Sequence, residues 1–119
     1  MKRRTTFAPE YLADAREWFE EVLRAARDVH VIGERRAAEG ILLSLDRWLL
    51  AREVKRGPSA ELAMIVQAIL GDDIMRAPAG FDYDPATSVL GNPIGAHITL
   101  TFDDAEALGR AVFAQLTAG

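Results

Sequence analysis

The side chains that could do chemistry are few. His97 sits in the run Ala96-His97-Ile98-Thr99-Leu100-Thr101-Phe102, on the face it shares with Thr99 and Thr101. An imidazole there can act as a general base near neutral pH. No Glu-x-x-His or His-x-x-x-His spacing surrounds it to ligate a metal, so His97 is read as facing solvent or a partner. Asp72, Asp73, Asp82 and Asp84 place four carboxylates in 13 residues, and oxygen donors of this kind suit Ca²⁺ or Mg²⁺. The EF-hand pattern fails, because Asp82-Tyr83-Asp84-Pro85-Ala86-Thr87 lacks the third oxygen ligand and the glycine. These are read as solvated turn carboxylates, with a small-ligand or metal site in the loop after Gly71 as an alternative. Gly91-Asn92-Pro93-Ile94-Gly95 is neither a Walker loop nor a dinucleotide fingerprint. Ser44 lies between Leu43 and Leu45 inside a helical pattern, where no nucleophile elbow can form. With no Cys in the chain, thiolate catalysis, zinc ribbons and disulfides are excluded. No metal and no cofactor is predicted.

One further pair stands out. Arg24 and His30, with five residues between them, resemble the Rx4-6H signature of HEPN ribonucleases, a family of small helical bundles. The resemblance implies that the pair contacts RNA and activates a ribose hydroxyl, which makes Arg24 and His30 alternative catalytic residues of an RNA-cleaving or RNA-binding bundle. The chain departs from that pattern in two ways. The pair falls on the first helix rather than late in the chain, and residues six apart on a straight helix are separated by about 120°. His30 also lies on an apolar edge with Phe19 and Leu23, where packing explains it.

These residues must be positioned by a single core. At 119 residues, 50% apolar and 27% charged, the chain has the composition of one ordinary globular domain, 1–119. Arginine outnumbers lysine 12 to 2, a bias expected of a GC-rich bacterial or phage genome. Residues 1–56 carry 12 basic and 10 acidic side chains, and residues 57–119 carry 2 and 8, which sum to the net charge of −4. An acidic second half repels phosphate backbones, so nucleic-acid binding is not expected. No apolar run approaches the roughly 20 residues of a membrane span, and Met1-Lys2-Arg3-Arg4 leads into no signal-like apolar stretch. The expected location is the cytoplasm, with no membrane partner.

Apolar residues recur at three- and four-residue steps from Pro9 to about Val29 (Tyr11, Ala15, Trp18, Val22, Ala25), with Leu12, Phe19 and Leu23 widening the stripe. That spacing predicts an amphipathic helix that ends near Gly33. A second helix is predicted from Glu34 to about Lys55 and should fold back antiparallel on the first. Leu43 and Leu50, one heptad apart, point away from its main face. Gly57-Pro58-Ser59 opens a third helix with Ser59 as candidate cap; Ala60–Leu70 is apolar nearly all round, with Glu61 and Gln67 left to face water. Residues 76–95 are dense in Pro and Gly and read as loop, with a weak strand at Thr87–Leu90. The alternation from Ala96 to Phe102 predicts a strand, and Asp103-Asp104-Ala105-Glu106 a cap that opens the last helix.

The fold class expected is therefore mostly α: a helical hairpin, a buried third helix, and a small C-terminal β element followed by a last helix. The function expected is a small non-enzymatic protein-interaction module, such as a bacterial or phage regulator or inhibitor, acting on a protein partner. Leu43, Leu50, His97, Thr99 and Thr101 are its candidate partner-binding residues. A homodimer is a further expectation, because a lone strand must pair its backbone with something and a second copy could complete the ladder.

Overall fold

In the computed structural model, which describes residues 7–29, 33–52 and 54–118, the helical periodicities become four helices: α1 (Pro9–Asp28), α2 (Glu34–Trp48), α3 (Gly57–Leu70) and α4 (Phe102–Ala118). Pro9 begins α1 with its φ already helical and no N–H to leave unpaired. Each helix buries the face its spacing dictates: Ala15, Phe19 and Leu23 from α1; Ala38, Ile41, Leu42 and Leu45 from α2; Leu62, Met64 and Ile65 from α3; Ala105, Leu108, Val112 and Phe113 from α4. Full burial of each large side chain contributes about 1.5–3 kcal/mol. The last helix packs against all three others. Tyr11 at the start of α1 meets Trp48 at the end of α2, and Arg27 near the end of α1 binds Asp103 at the start of α4, so α1 runs antiparallel to both. Among the described residues no helix is long and apolar enough to cross a membrane.

The small C-terminal β element is a correction. Among the described residues no strand forms, and His97 makes only an isolated antiparallel bridge with Ile74. The alternation itself is real: Ile98 and Leu100 are buried, while His97, Thr99 and Thr101 are exposed. What prevents a ladder is that helix α4 begins at Phe102. The Thr101 hydroxyl accepts the Asp104 N–H at 3.1 Å and the Asp104 carboxylate accepts the Thr101 N–H at 3.1 Å, a reciprocal capping box that begins earlier in the chain, at Thr101 rather than Asp103. Glu34 adds a carboxylate that accepts the Phe102 N–H at 2.8 Å. The extended backbone pairs with Asp73–Met75, not with Thr87–Leu90. Ile98 N–H donates to Asp73 C=O, Met75 N–H to Ala96 C=O and Gly95 N–H to Met75 C=O, at 2.7–2.9 Å. These pairs lie within one chain, so this segment needs no second copy to satisfy them.

Three local expectations also change. Helix α2 stops at Trp48 rather than near Lys55, because Arg52 folds back over its end. The guanidinium donates to the Leu49 carbonyl at 3.0 Å and binds the Asp46 carboxylate at 2.6 Å, capping carbonyls that a helix terminus leaves unpaired. Helix α3 starts at Gly57 with Arg56 as N-cap, which places Ser59 inside the first turn and not at the cap. Gly33, expected to end α1, is the N-cap of α2 with a left-handed φ of 95°.

Candidate functional site

The sequence-predicted site residues are dispersed. Leu43 is half-buried and packs on the core, whereas Leu50 is 63% exposed because α2 has already ended. The two do not form a common seam. His97 and Thr99 are exposed on the segment before α4, and the Thr101 hydroxyl is occupied by the helix cap. Arg24 is exposed on α1, and His30 lies outside the described residues.

The four loop carboxylates separate as well. Asp73 binds Arg35 at 2.7 Å, and Asp72 takes both arms of Arg76 at 2.7 and 2.8 Å. Asp82 and Asp84 lie across the fold, where they line a cleft of about 320 Å³ beside Arg56 and Tyr83 at the start of α3. Among the described residues no three His, Asp or Glu side chains converge as a metal would need. The Arg76 guanidinium, assisted by the Ile74 N–H, holds the Asp72 carboxyl far below the usual carboxylate range against some desolvation. A carboxyl depressed in the folded state contributes stability above its unfolded pKa of about 3.9 and loses it as pH falls through the folded value. NMR titration should therefore find the Asp72 midpoint below that of free aspartate, and Arg76→Ala should raise it toward that value, with the Ile74 N–H still favouring the carboxylate. An unchanged midpoint in the variant would assign the depression to something other than this pair.

The chemistry the structure does bring together is aromatic. Tyr11 and Trp18, seven apart on one side of α1, lie against Trp48 at the end of α2. Ring centroids are 5.5 Å apart for Tyr11–Trp48 and 5.9 Å for Trp18–Trp48. Phe7 extends the row, stacked on Tyr11 at 5.7 Å and 10°. The Tyr11 hydroxyl donates to the Trp48 carbonyl, which pairs a C-terminal helix carbonyl and fixes the ring. Tyr11, Trp18 and Trp48, with Ser44 and Arg47, line an open cleft of about 460 Å³. Arg47 is exposed beside the half-buried indoles. The arrangement offers flat, rigid apolar area next to a guanidinium, which is suited to packing and stacking and holds no nucleophile–base pair.

The sequence pattern placed Tyr11 and Trp18 at the heart of the α1 stripe. The buried axis instead runs through Ala15, Phe19 and Leu23, leaving those two rings on its rim. The signal that could have found them is the width of the stripe: an apolar arc of about 140° is broader than the 100° or so a core-facing helix needs, and its edge carries the largest rings. No protein-family model matches the chain, and no curated protein or solved structure is significantly similar to it.

Proposed function

We propose that this chain is a small protein-interaction module, of the kind a bacterial or phage regulator or inhibitor would be, acting by occupying a partner's surface and not by turning over a substrate. The observation that carries this reading is the row of exposed Tyr11 and half-buried Trp18 and Trp48, with exposed Arg47 alongside. Trp, Tyr and Arg are the residue types that dominate binding hot spots, because each combines large desolvated area with a polar tip. Exposed Leu50, His97 and Thr99 are secondary candidate contacts on other faces. A second copy of the chain is one candidate partner. The proposed setting is the cytoplasm, where a cysteine-free chain requires no disulfide chemistry.

The test is affinity capture and light scattering with the wild type and two variants. Trp48→Ala should weaken partner binding by at least about 2 kcal/mol, the scale of a hot-spot truncation. Since Trp48 also packs on the core, Arg47→Glu provides the control: it alters only an exposed charge and should reduce binding with unchanged circular dichroism. Partner affinity that survives both substitutions would place the interface elsewhere, and RNA cleavage lost in Arg24→Ala and His30→Ala would replace this reading with a ribonuclease.

A further inference from the structure

A second cleft, separate from the aromatic row, lies between the end of α2 and the start of α3 and has a volume of about 500 Å³. That is within the range of small-molecule sites. Its walls are apolar: Leu50, Val54, Ala63 and Phe81. Leu50, 63% exposed, forms an apolar wall left largely open among the described residues. Three charged side chains complete the lining. Arg52 is held against Asp46 at 2.6 Å, with its side chain only 6% exposed, so those two charges neutralise each other. Lys55 is exposed and leaves the described lining with one positive charge in excess.

The remaining polar group is Ser59, which lines this cleft and is wholly buried. Its Oγ is the one buried side-chain polar atom among the described residues without a hydrogen-bond partner. A serine in the first turn of a helix ordinarily turns its hydroxyl to a backbone group, and a buried hydroxyl left unpaired is unfavourable. Here the backbone N–H of Ser59 is already taken by the side-chain amide oxygen Oε1 of Gln115 at 2.8 Å, and its hydroxyl is left over. Apolar walls, the exposed Lys55 ammonium and a buried unpaired hydroxyl together specify an occupant with an apolar body and a single anionic head that accepts hydrogen bonds.

We propose that this cleft binds a small amphipathic carboxylate, with the head between Lys55 and the Ser59 hydroxyl and the body against Val54, Ala63 and Phe81. The full chain should be titrated by NMR with phenylacetate, phenylacetamide and phenethylamine, which share a body and differ in the head. Phenylacetate should shift the amides of residues 54, 55, 59, 63 and 81 saturably, the amide should bind about tenfold more weakly, and the amine should not bind. Lys55→Gln should weaken phenylacetate about tenfold. Ser59→Ala should weaken it while leaving the fold as stable or more so, because it removes an unpaired buried hydroxyl. Shifts that never saturate, equal binding of acid and amine, or affinity within about twofold in both variants would overturn the site. So would a destabilised Ser59→Ala chain, which would show that Oγ has a structural partner.

Discussion

Replacing Phe19 with alanine is expected to lower stability by about 3–5 kcal/mol, the range for deleting a buried aromatic ring. This is a large part of the 5–15 kcal/mol or so by which a domain of this size is stable. Phe19 is wholly buried in α1, and its ring meets Phe113 of α4 at 5.9 Å with the planes tilted 58°. The contact is possible because α4 has a glycine opposite. A Cβ at Gly109 would lie 2.8 Å from Phe19 Cε2 and closer still to Cε1 and Cζ. A mid-helix glycine costs about 0.5–1 kcal/mol relative to alanine, and here the missing side chain is what lets α1 and α4 close on each other. Gly109→Ala should therefore destabilise by about 1–3 kcal/mol as an overpacked site despite its better helix propensity. The double variant, with the ring removed and the methyl free to enter its space, should lose less than the sum of the two singles. Denaturant unfolding of the three variants measures all of this. Strict additivity would show that ring and glycine do not interlock.

That pairing also shows how far the sequence could be read. The periodicity of α1 and α4 identifies Phe19, Leu108 and Val112 as core positions, because a helix buries one face whatever lies opposite. It does not say which glycine a ring will face, since that depends on the rotation of two helices about their own axes. The segment from Ala96 is similar: alternation correctly separates buried Ile98 and Leu100 from exposed His97 and Thr99. Alternation reports an extended backbone with one face covered, however, and a ladder also needs a partner of matching length. Asp73–Met75 supplies only one bridge. The end of α2 was hidden for another reason. Arg52 reads as one more charge on a helix, and its role as a cap appears only when it folds back on Asp46 and Leu49. For the candidate sites, residue type was informative and partition was not. By pattern alone Tyr11 and Trp18 read as helix-stripe residues and Ser59 as a cap, and only the packed structure shows two rings on a rim and a hydroxyl without a partner.

Glu61 is the clearest case of a residue whose surroundings invert its reading, and its removal carries the second large effect. As one of two polar residues in a nearly all-apolar helix it should face water, yet it is 1% exposed. Its carboxylate accepts the backbone N–H of Val89 at 2.8 Å through Oε1 and that of Leu90 at 2.9 Å through Oε2. The loop thus docks on α3 through two amides that have no strand to pair with, and a charge held by two N–H donors is stabilised where an unpaired one would not be. The loop's own ties are separate from this contact. Tyr83 donates to the Asn92 carbonyl at 2.6 Å, Gly91 N–H donates to Ser88 Oγ at 2.8 Å, and Ser88 Oγ donates to the Pro85 carbonyl at 3.1 Å. Glu61→Ala should therefore undock the loop while leaving its internal turns formed. Two amides without acceptors, at about 1–3 kcal/mol each, set the expected loss at about 2–5 kcal/mol, the upper end being reduced where water reaches them. Glu61→Gln should fall between the two, since its amide oxygen can accept from only one side while its NH₂ is turned toward the other donor. Hydrogen exchange is the discriminating measurement. In Glu61→Ala the amides of Val89 and Leu90 should lose protection first, with those of α1 and α4 following only to the extent of the global destabilisation. Val89 and Leu90 amides that stay protected, with an unmoved denaturant midpoint, would mean that the loop is held on α3 by its apolar contacts and that the buried carboxylate is incidental.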